Sequence, residues 1–171
     1  QNGSILIHDQ NGNQLVNRLF VNGPNSLEPT VAPFANGTFL EAYLTQTTAP
    51  RSVGRYQIFD NDGNPVVGER VLTGSVIDTE NNFDYSLSST TLASGDTVVV
   101  AYHLRSSVGS FIGGGPNRFV MIDSSGTIVR GETAIGSDPT NSNDVPGSLR
   151  VKALAGGGFI ALYHTGPYFF S

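Results

Sequence analysis

The chain contains no cysteine, and this absence excludes disulfide bonds and thiolate metal sites. Basic residues are also scarce, because 9 Lys and Arg stand against 14 Asp and Glu, and Lys152 is the single lysine. A protein that binds duplex nucleic acid needs a basic stripe along one face. The composition, with a formal net charge of −5, therefore argues against nucleic acid as a partner.

Long apolar runs are missing too. No stretch of about 18 consecutive apolar residues occurs, so the sequence predicts no membrane span. There is no signal peptide, and Gln1 stands in place of Met, which indicates that a leader was removed or that the chain is a segment of something longer. Scarce lysine with abundant Asn, Thr and Gly is typical of secreted bacterial proteins, so we expect an extracellular or cell-surface location.

The residues that fill the chain are those of short strands and tight turns. Charged residues make up only 13% of the sequence, and glycine occurs 21 times. No long segment has a 3.6-residue apolar period, so we predict no helix. The continuous apolar run 98–101 is typical of a strand buried on both faces. A length of 171 residues suits a single all-β domain, 1–171.

A glycine-containing turn followed by an apolar strand ending in tyrosine occurs three times. The tyrosines are Tyr43, Tyr102 and Tyr163, separated by 59 and 61 residues. A second turn of the Asp-x-x-Gly type begins at Asp9, Asp60 and Asp123. A recurring spacing of this size indicates a repeat architecture. We therefore predict three repeats of four antiparallel strands, in units of about 1–54, 55–117 and 118–171.

Residues 55–69 (Arg-Tyr-Gln-Ile-Phe-Asp-Asn-Asp-Gly-Asn-Pro-Val-Val-Gly-Glu) and the similar run 118–132 resemble half of a bacterial extracellular β-propeller repeat. Residues 154–163 (Leu-Ala-Gly-Gly-Gly-Phe-Ile-Ala-Leu-Tyr) resemble the other half, with Tyr where that family has Trp. The resemblance implies four-stranded blades, with the Gly-Gly-Phe hairpin inside and the Asp-Gly hairpin outside. A β-trefoil, which also has three repeats and twelve strands, is the alternative fold.

The same resemblance implies incomplete blades at both ends. The chain would open with an outer half-blade (4–21), continue with whole blades (30–72 and 85–135) and close with an inner half-blade (148–164). An exposed edge strand is a template for pairing with another chain. We therefore expect the C-terminal hairpin of one subunit to pair with the N-terminal hairpin of the next, giving a head-to-tail ring or filament.

Few residues point to metal or cofactor chemistry. Oxygen ligands alternate in the turn 60–64, as in calcium loops, but the same pattern is typical of a hairpin turn, and we predict a turn. The three histidines, His8, His103 and His164, lie in different units without metal-ligand spacing. We predict no metal site and no cofactor.

Catalytic motifs are equally scarce. Cysteine and a Gly-x-Ser-x-Gly elbow are both missing, and most acidic residues fall in turns or loops. The Gly-rich loop 106–117 is the single irregular segment where a hydrolase site would be sought. We therefore predict no enzyme and no catalytic residues.

Two binding features remain. Tyr43, Tyr102 and Tyr163 would either line a carbohydrate site, as aromatics do in lectins, or fill the core between blades. Asn2-Gly3-Ser4 and Asn36-Gly37-Thr38 match the glycosylation acceptor pattern, although Asn-Gly-Thr is also typical of a tight turn. Because one such tyrosine occurs in each repeat, a lectin-like module with glycan ligands is the alternative function.

The C-terminal aromatic tail, Tyr168-Phe169-Phe170, either folds onto its own core or docks on a neighbouring subunit. Together with the incomplete blades, it leads us to expect a non-catalytic structural or adhesive protein. The expected partners are further copies of the same chain.

Overall fold

The computed structural model describes residues 3–8, 11–20, 26–48, 51–73, 77–78, 87–108, 111–136, 144–146, 149–163 and 165–167. These residues form fifteen β-strands and no helix, which confirms the all-β prediction. Accordingly, the described segments hold no helix of the length and hydropathy needed to cross a membrane. The N-terminal Gln1 and Asn2, His164 and the aromatic tail 168–170 lie outside these residues.

The strands range in length from two to thirteen residues. In chain order they are β1 (Gly3–His8), β2 (Gln14–Phe20), β3 (Ser26–Pro33), β4 (Phe39–Thr48), β5 (Arg51–Phe59), β6 (Pro65–Val71), β7 (Ile77–Asp78), β8 (Ser88–Thr91), β9 (Thr97–Val108), β10 (Phe111–Asp123), β11 (Ile128–Ala134), β12 (Asp144–Pro146), β13 (Arg150–Ala153), β14 (Phe159–Leu162) and β15 (Thr165–Pro167).

Two antiparallel meanders occupy the middle of the chain. The first sheet has the order β3-β4-β5-β6, with β7 added to the beginning of β5, and the second sheet has the order β8-β9-β10-β11. A hairpin stands at each end: the N-terminal hairpin is β1-β2 and the C-terminal hairpin is β13-β14. Strands β12 and β15 form a further pair, and none of the sheets in the described residues closes on itself.

The two sheets share one register between their second and third strands. Tyr43 lies opposite Arg55 in the first sheet, and Tyr102 lies opposite Arg118 in the second. In both sheets an alanine precedes the tyrosine and an aromatic residue follows the arginine, and these also pair across the ladder. Two stretches of sequence with the same order of residue types therefore fold with the same strand pairing.

Local hydrogen bonds explain the Asp-x-x-Gly turns. The Oδ1 atom of Asp60 accepts hydrogen bonds from the backbone N–H groups of Asp62 and Asn64, at 2.9 and 2.7 Å. Asp123 accepts equivalent bonds from Ser125 and Thr127, at 3.0 and 2.9 Å. The glycine of each turn has a positive φ, which residues with a Cβ adopt reluctantly. Both turns lie where the sequence predicted them.

The prediction of a Gly-rich loop at 106–117 was wrong. Strand β4 continues to Thr48 and β5 begins at Arg51, and likewise β9 continues to Val108 and β10 begins at Phe111. Backbone pairing extends both central hairpins, as when Gly113 and Gly114 pair with Ser106 and Arg105. These extensions are rich in Gly, Ser and Thr, so no apolar alternation marked them as strand.

Two apolar clusters hold the sheets together. The first cluster lies between the two sheets and includes Leu40, Ile58 and Val98, all fully buried. The second lies between the second sheet and the C-terminal hairpin and includes Val99 and partly buried Phe159. Residues 98–101 are all fully buried, which confirms the predicted strand with two covered faces. Each such aliphatic side chain contributes about 1.5–3 kcal/mol to folding.

Hydroxyl groups join the first strands of successive sheets. Thr30 Oγ1 in β3 accepts a hydrogen bond from the backbone N–H of Ser89 in β8, at 3.1 Å. Ser88 Oγ in β8 accepts one in the same way from the N–H of Val151 in β13, at 3.0 Å. Strands β3, β8 and β13 therefore lie side by side, linked through side chains rather than a backbone ladder.

Candidate functional site

The tyrosines that the sequence singled out are interior residues. Tyr43 and Tyr102 are buried, and Tyr102 belongs to the cluster between the two sheets. Tyr163 is partly buried and packs against the cluster between the second sheet and the C-terminal hairpin. The rings of Tyr43 and Tyr102 are therefore not available for stacking on a sugar at the surface.

Tyr43 and Tyr102 each hold a glutamate of the outermost strand in their own sheet. The Tyr43 hydroxyl donates a hydrogen bond to Glu69 at 2.6 Å, and the Arg55 guanidinium donates a second at 2.7 Å. In the second sheet, Tyr102 donates to Glu132 at 2.8 Å.

Two further residues contact Glu132 and, with Tyr102, form the carboxylate cluster of the second sheet. Thr73 donates a hydrogen bond to Glu132, and the Arg118 guanidinium lies 3.9 Å from the same carboxylate. Because Thr73 lies two residues beyond the end of β6, this cluster joins the two sheets as well as β9, β10 and β11 of the second sheet. The Glu132 carboxylate therefore connects the second sheet to the first.

The environment keeps both phenols protonated. Burial raises the pKa of the Tyr43 hydroxyl, and the hydrogen bond to Glu69 raises that pKa further. Burial also raises the pKa of the Tyr102 hydroxyl, with Glu132 acting in the same direction. The tyrosines are therefore fixed hydrogen-bond donors.

Glu69 and Glu132 were missed in the sequence, although a signal for them was present. Each follows its turn glycine, Gly63 or Gly126, by six residues, and each follows its arginine by fourteen. Both side chains are solvent-accessible, as charge on an outer strand ordinarily indicates, so charge alone gave no sign of their contacts with the tyrosines.

The metal candidates that lie in the described part of the chain form no cluster of three or more ligands. His8 lies in the N-terminal hairpin, where its Nδ1 is 3.0 Å from the carbonyl oxygen of Gly12, and His103 lies in β9. The carboxylate of Asp60 accepts hydrogen bonds from its own turn, including one from the Asn64 side-chain amide at 3.0 Å. Among the described residues, no group of three or more metal-ligating side chains is found.

The glycosylation motif at Asn36 belongs to a tight turn. Its Oδ1 accepts hydrogen bonds from the backbone N–H and the hydroxyl of Thr38, at 3.0 and 2.7 Å. The side chain is exposed, but these local bonds account for the Asn-Gly-Thr sequence as turn chemistry. The first motif, at Asn2, lies outside the described residues.

The strongest surface feature is the outer face of the C-terminal hairpin. Ile160 is 56% exposed and Leu162 is 71% exposed. Counted back from Tyr43 and Tyr102 as Ile160 and Leu162 are counted from Tyr163, the matching residues are Leu40 and Ala42 in β4, and Val99 and Ala101 in β9. All four of these are fully buried (0% exposed), because another sheet or hairpin covers them.

The hairpins at both ends also have incomplete strand pairing. Strands β4 and β9 each have a neighbour on both sides, whereas the described residues pair β14 with β13 alone. Likewise β5 and β10 lie between two strands, whereas β1 pairs with β2 alone within the described part. Among the described strands, the matching edges of β14 and β1 thus lack the partners that their counterparts have in the two sheets.

Comparison of the chain with protein-family models, with curated proteins and with solved structures gave no match. The geometry of the chain itself therefore carries the functional argument.

Proposed function

We propose that this chain is a non-catalytic structural or adhesive protein of the cell surface or exterior that assembles head to tail with further copies of itself. Assembly takes place through edge-strand pairing between the C-terminal hairpin of one copy and the N-terminal hairpin of the next. The expected products are closed rings or open filaments, depending on the rotation between successive copies.

The exposed aliphatic face of the C-terminal hairpin is the observation that carries this proposal. Ile160 and Leu162 expose large side chains at positions that are fully buried in both central sheets. Burying one such side chain is worth about 1.5–3 kcal/mol, which makes an uncovered pair a driving force for association. The face is also edged by β14, whose outer edge has no strand partner among the described residues and is suited to pairing with another strand.

We also propose that the two sheets are propeller-type blades. Two four-stranded meanders pack face to face, and their first strands lie side by side with the first strand of the C-terminal hairpin. Strands that converge in this way are expected where blades surround a common axis. Three blades fall below the usual minimum of about four, whereas two copies together would supply six.

Native mass and particle shape test the proposal. Weak interfaces associate at concentrations on the order of tens of micromolar. At that concentration, light scattering and negative-stain imaging of the wild-type chain should show rings or filaments. Ile160→Asp places a charge on the proposed contact face and should shift the mass toward that of one chain. Val129→Asp is the matched control, since Val129 is similarly exposed but lies on β11, away from the C-terminal hairpin.

A wild-type chain that stays monomeric at this concentration contradicts the proposal. An assembly that Val129→Asp disrupts as strongly as Ile160→Asp would place the contact elsewhere. Deletion of residues 167–171 examines the aromatic tail separately. A smaller assembly after the deletion would show that the tail contributes to the contact between copies.

A further inference from the structure

We infer that β14 of one copy and β1 of a second copy pair antiparallel in a single register, with Ile160 opposite Ile7 of the second copy. The product is a four-stranded sheet of order β13-β14-β1-β2, with two strands from each chain. This inference rests on the proposed head-to-tail assembly and adds the alignment of the two strands.

The register follows from the two junctions that are present within the chain. In both sheets the residue three before the recurring tyrosine, Tyr43 or Tyr102, pairs with the residue two before the turn aspartate. Leu40 thus lies opposite Ile58, and Val99 lies opposite Met121. Counted from Tyr163 and from Asp9, the same rule aligns Ile160 with Ile7.

The side chains that this register brings together are apolar on both faces. Ile160 meets Ile7 on one face, and on the other Ala161 meets Leu6, whose side chain is 53% exposed in the single chain. In the second sheet the counterparts of Ala161 and Leu6 are Val100 and Val120, both buried. A slip of one residue would turn these side chains to opposite faces, so the register is specified by burial.

The second sheet shows where the two added strands would pack. Ile58 of the first sheet is fully buried, but its counterpart Met121 is only partly buried, because the C-terminal hairpin supplies two covering strands instead of four. The turn glycines of the second sheet and of the N-terminal hairpin likewise differ in how closely they are covered. A Cβ added at Gly126 would lie 2.8 Å from Val67 Cγ1 of the first sheet, whereas one added at Gly12 would meet no heavy atom within 4 Å.

Backbone directions in the C-terminal hairpin make the Ile160 and Ile7 positions suitable for cross-linking. The N–H of Val151 points away from β14, toward Ser88 Oγ. Because hydrogen-bonded and non-bonded pairs alternate, the backbone of Ile160 faces β13, and its pair with Ile7 is of the non-hydrogen-bonded kind. Such pairs have Cα atoms about 4.5 Å apart, within the range of disulfides.

The test is disulfide formation between two different single-cysteine chains. The wild-type sequence contains no cysteine, so Ile160→Cys and Ile7→Cys provide the only thiols in a mixture of the two variants. Mild oxidation followed by peptide mass mapping should identify the disulfide between positions 160 and 7. Since the cysteines are on separate chains, this product is intermolecular by design.

A mixture of Ile160→Cys with His8→Cys is the matched control. The shift of one residue directs the second cysteine to the opposite face of the strand, so its yield should be at least about tenfold lower. Equal yields from the two mixtures would overturn the register. If the wild-type chain forms rings or filaments and the 160–7 disulfide is still absent, this inference fails while the assembly stands. A monomeric wild-type chain overturns both.

Discussion

The hydroxyl of Tyr56 in the first sheet donates a hydrogen bond to the carbonyl oxygen of Gly126 in the second, at 2.8 Å. Arg70 donates a second hydrogen bond to the same oxygen, at 2.6 Å. The turn between β10 and β11 is therefore attached to the first sheet by two donors from neighbouring strands. This attachment complements the apolar cluster between the sheets.

The Tyr56→Phe variant should lose about 1 kcal/mol of unfolding free energy, the usual contribution of one hydrogen bond. The ring itself is expected to fit, since the matching residue in the second sheet is Phe119. Urea unfolding followed by circular dichroism measures the change. An unaltered unfolding midpoint would show that Arg70 alone satisfies the Gly126 carbonyl.

Alanine substitutions at two turn glycines separate backbone strain from packing. Gly126 and Gly12 have similar positive φ values, 77° and 83°, so alanine meets the same conformational cost at both. Only Gly126→Ala also places a methyl group against Val67. We expect Gly126→Ala to destabilise the chain by about 1–3 kcal/mol more than Gly12→Ala, as overpacking does. Equal losses in urea unfolding would contradict the tight contact between the sheets.

Tyrosine ionisation should be delayed in the folded chain. Burial raises the pKa of Tyr43, Tyr56 and Tyr102 above the ordinary value of 10.0. A raised folded-state pKa stabilises the fold below the unfolded pKa, and that stability is lost as the pH rises further. At least three of the six tyrosines should therefore ionise only on unfolding, which absorbance at the tyrosinate band measures. Complete ionisation near pH 10 without loss of circular dichroism would contradict this.

Acid should weaken the turn that begins at Asp123. The hydrogen bond from the Ser125 hydroxyl is the main cause that lowers the pKa of the Asp123 carboxyl below 3.8, and bonds from the Thr127 and Ser125 N–H groups add to it. A lowered folded-state pKa gives stability above the unfolded pKa that is lost as the pH falls through the folded pKa.

The urea concentration at the unfolding midpoint should accordingly decrease in the wild type as the pH is lowered below about 4. In Ser125→Ala the same midpoint should decrease less steeply. Urea unfolding at a series of acidic pH values measures both slopes. Identical slopes would show that the Ser125 hydroxyl does not stabilise the ionised Asp123 carboxylate.

The sequence predicted features that depend on local chemistry. The turns at Asp60 and Asp123 were predictable because a carboxylate and a glycine stabilise them within five residues. The doubly buried strand at 98–101 was predictable from its continuous apolar run. In contrast, the strand extension through Gly113 and Gly114 depends on pairing with β9, and glycine has no side-chain pattern to reveal it.

The carboxylate clusters and the exposed hairpin face needed three-dimensional information. Glu132 is held by Tyr102 from its own sheet and by Thr73 from the end of the first sheet, across 30 and 59 residues of chain. Ile160 has the same sequence context as Leu40, and only the packing shows that one is covered and the other is not.

The second sheet lies between the first sheet and the C-terminal hairpin, with apolar clusters on both of its faces. Local opening is easiest where few apolar contacts must be broken, so the hairpins at the two ends should exchange their amide protons fastest. The amides of residues 98–101 should exchange only when the whole molecule unfolds. The chain would then lose its structure from both ends inward, and a neighbour that covers the ends would slow the first step of unfolding.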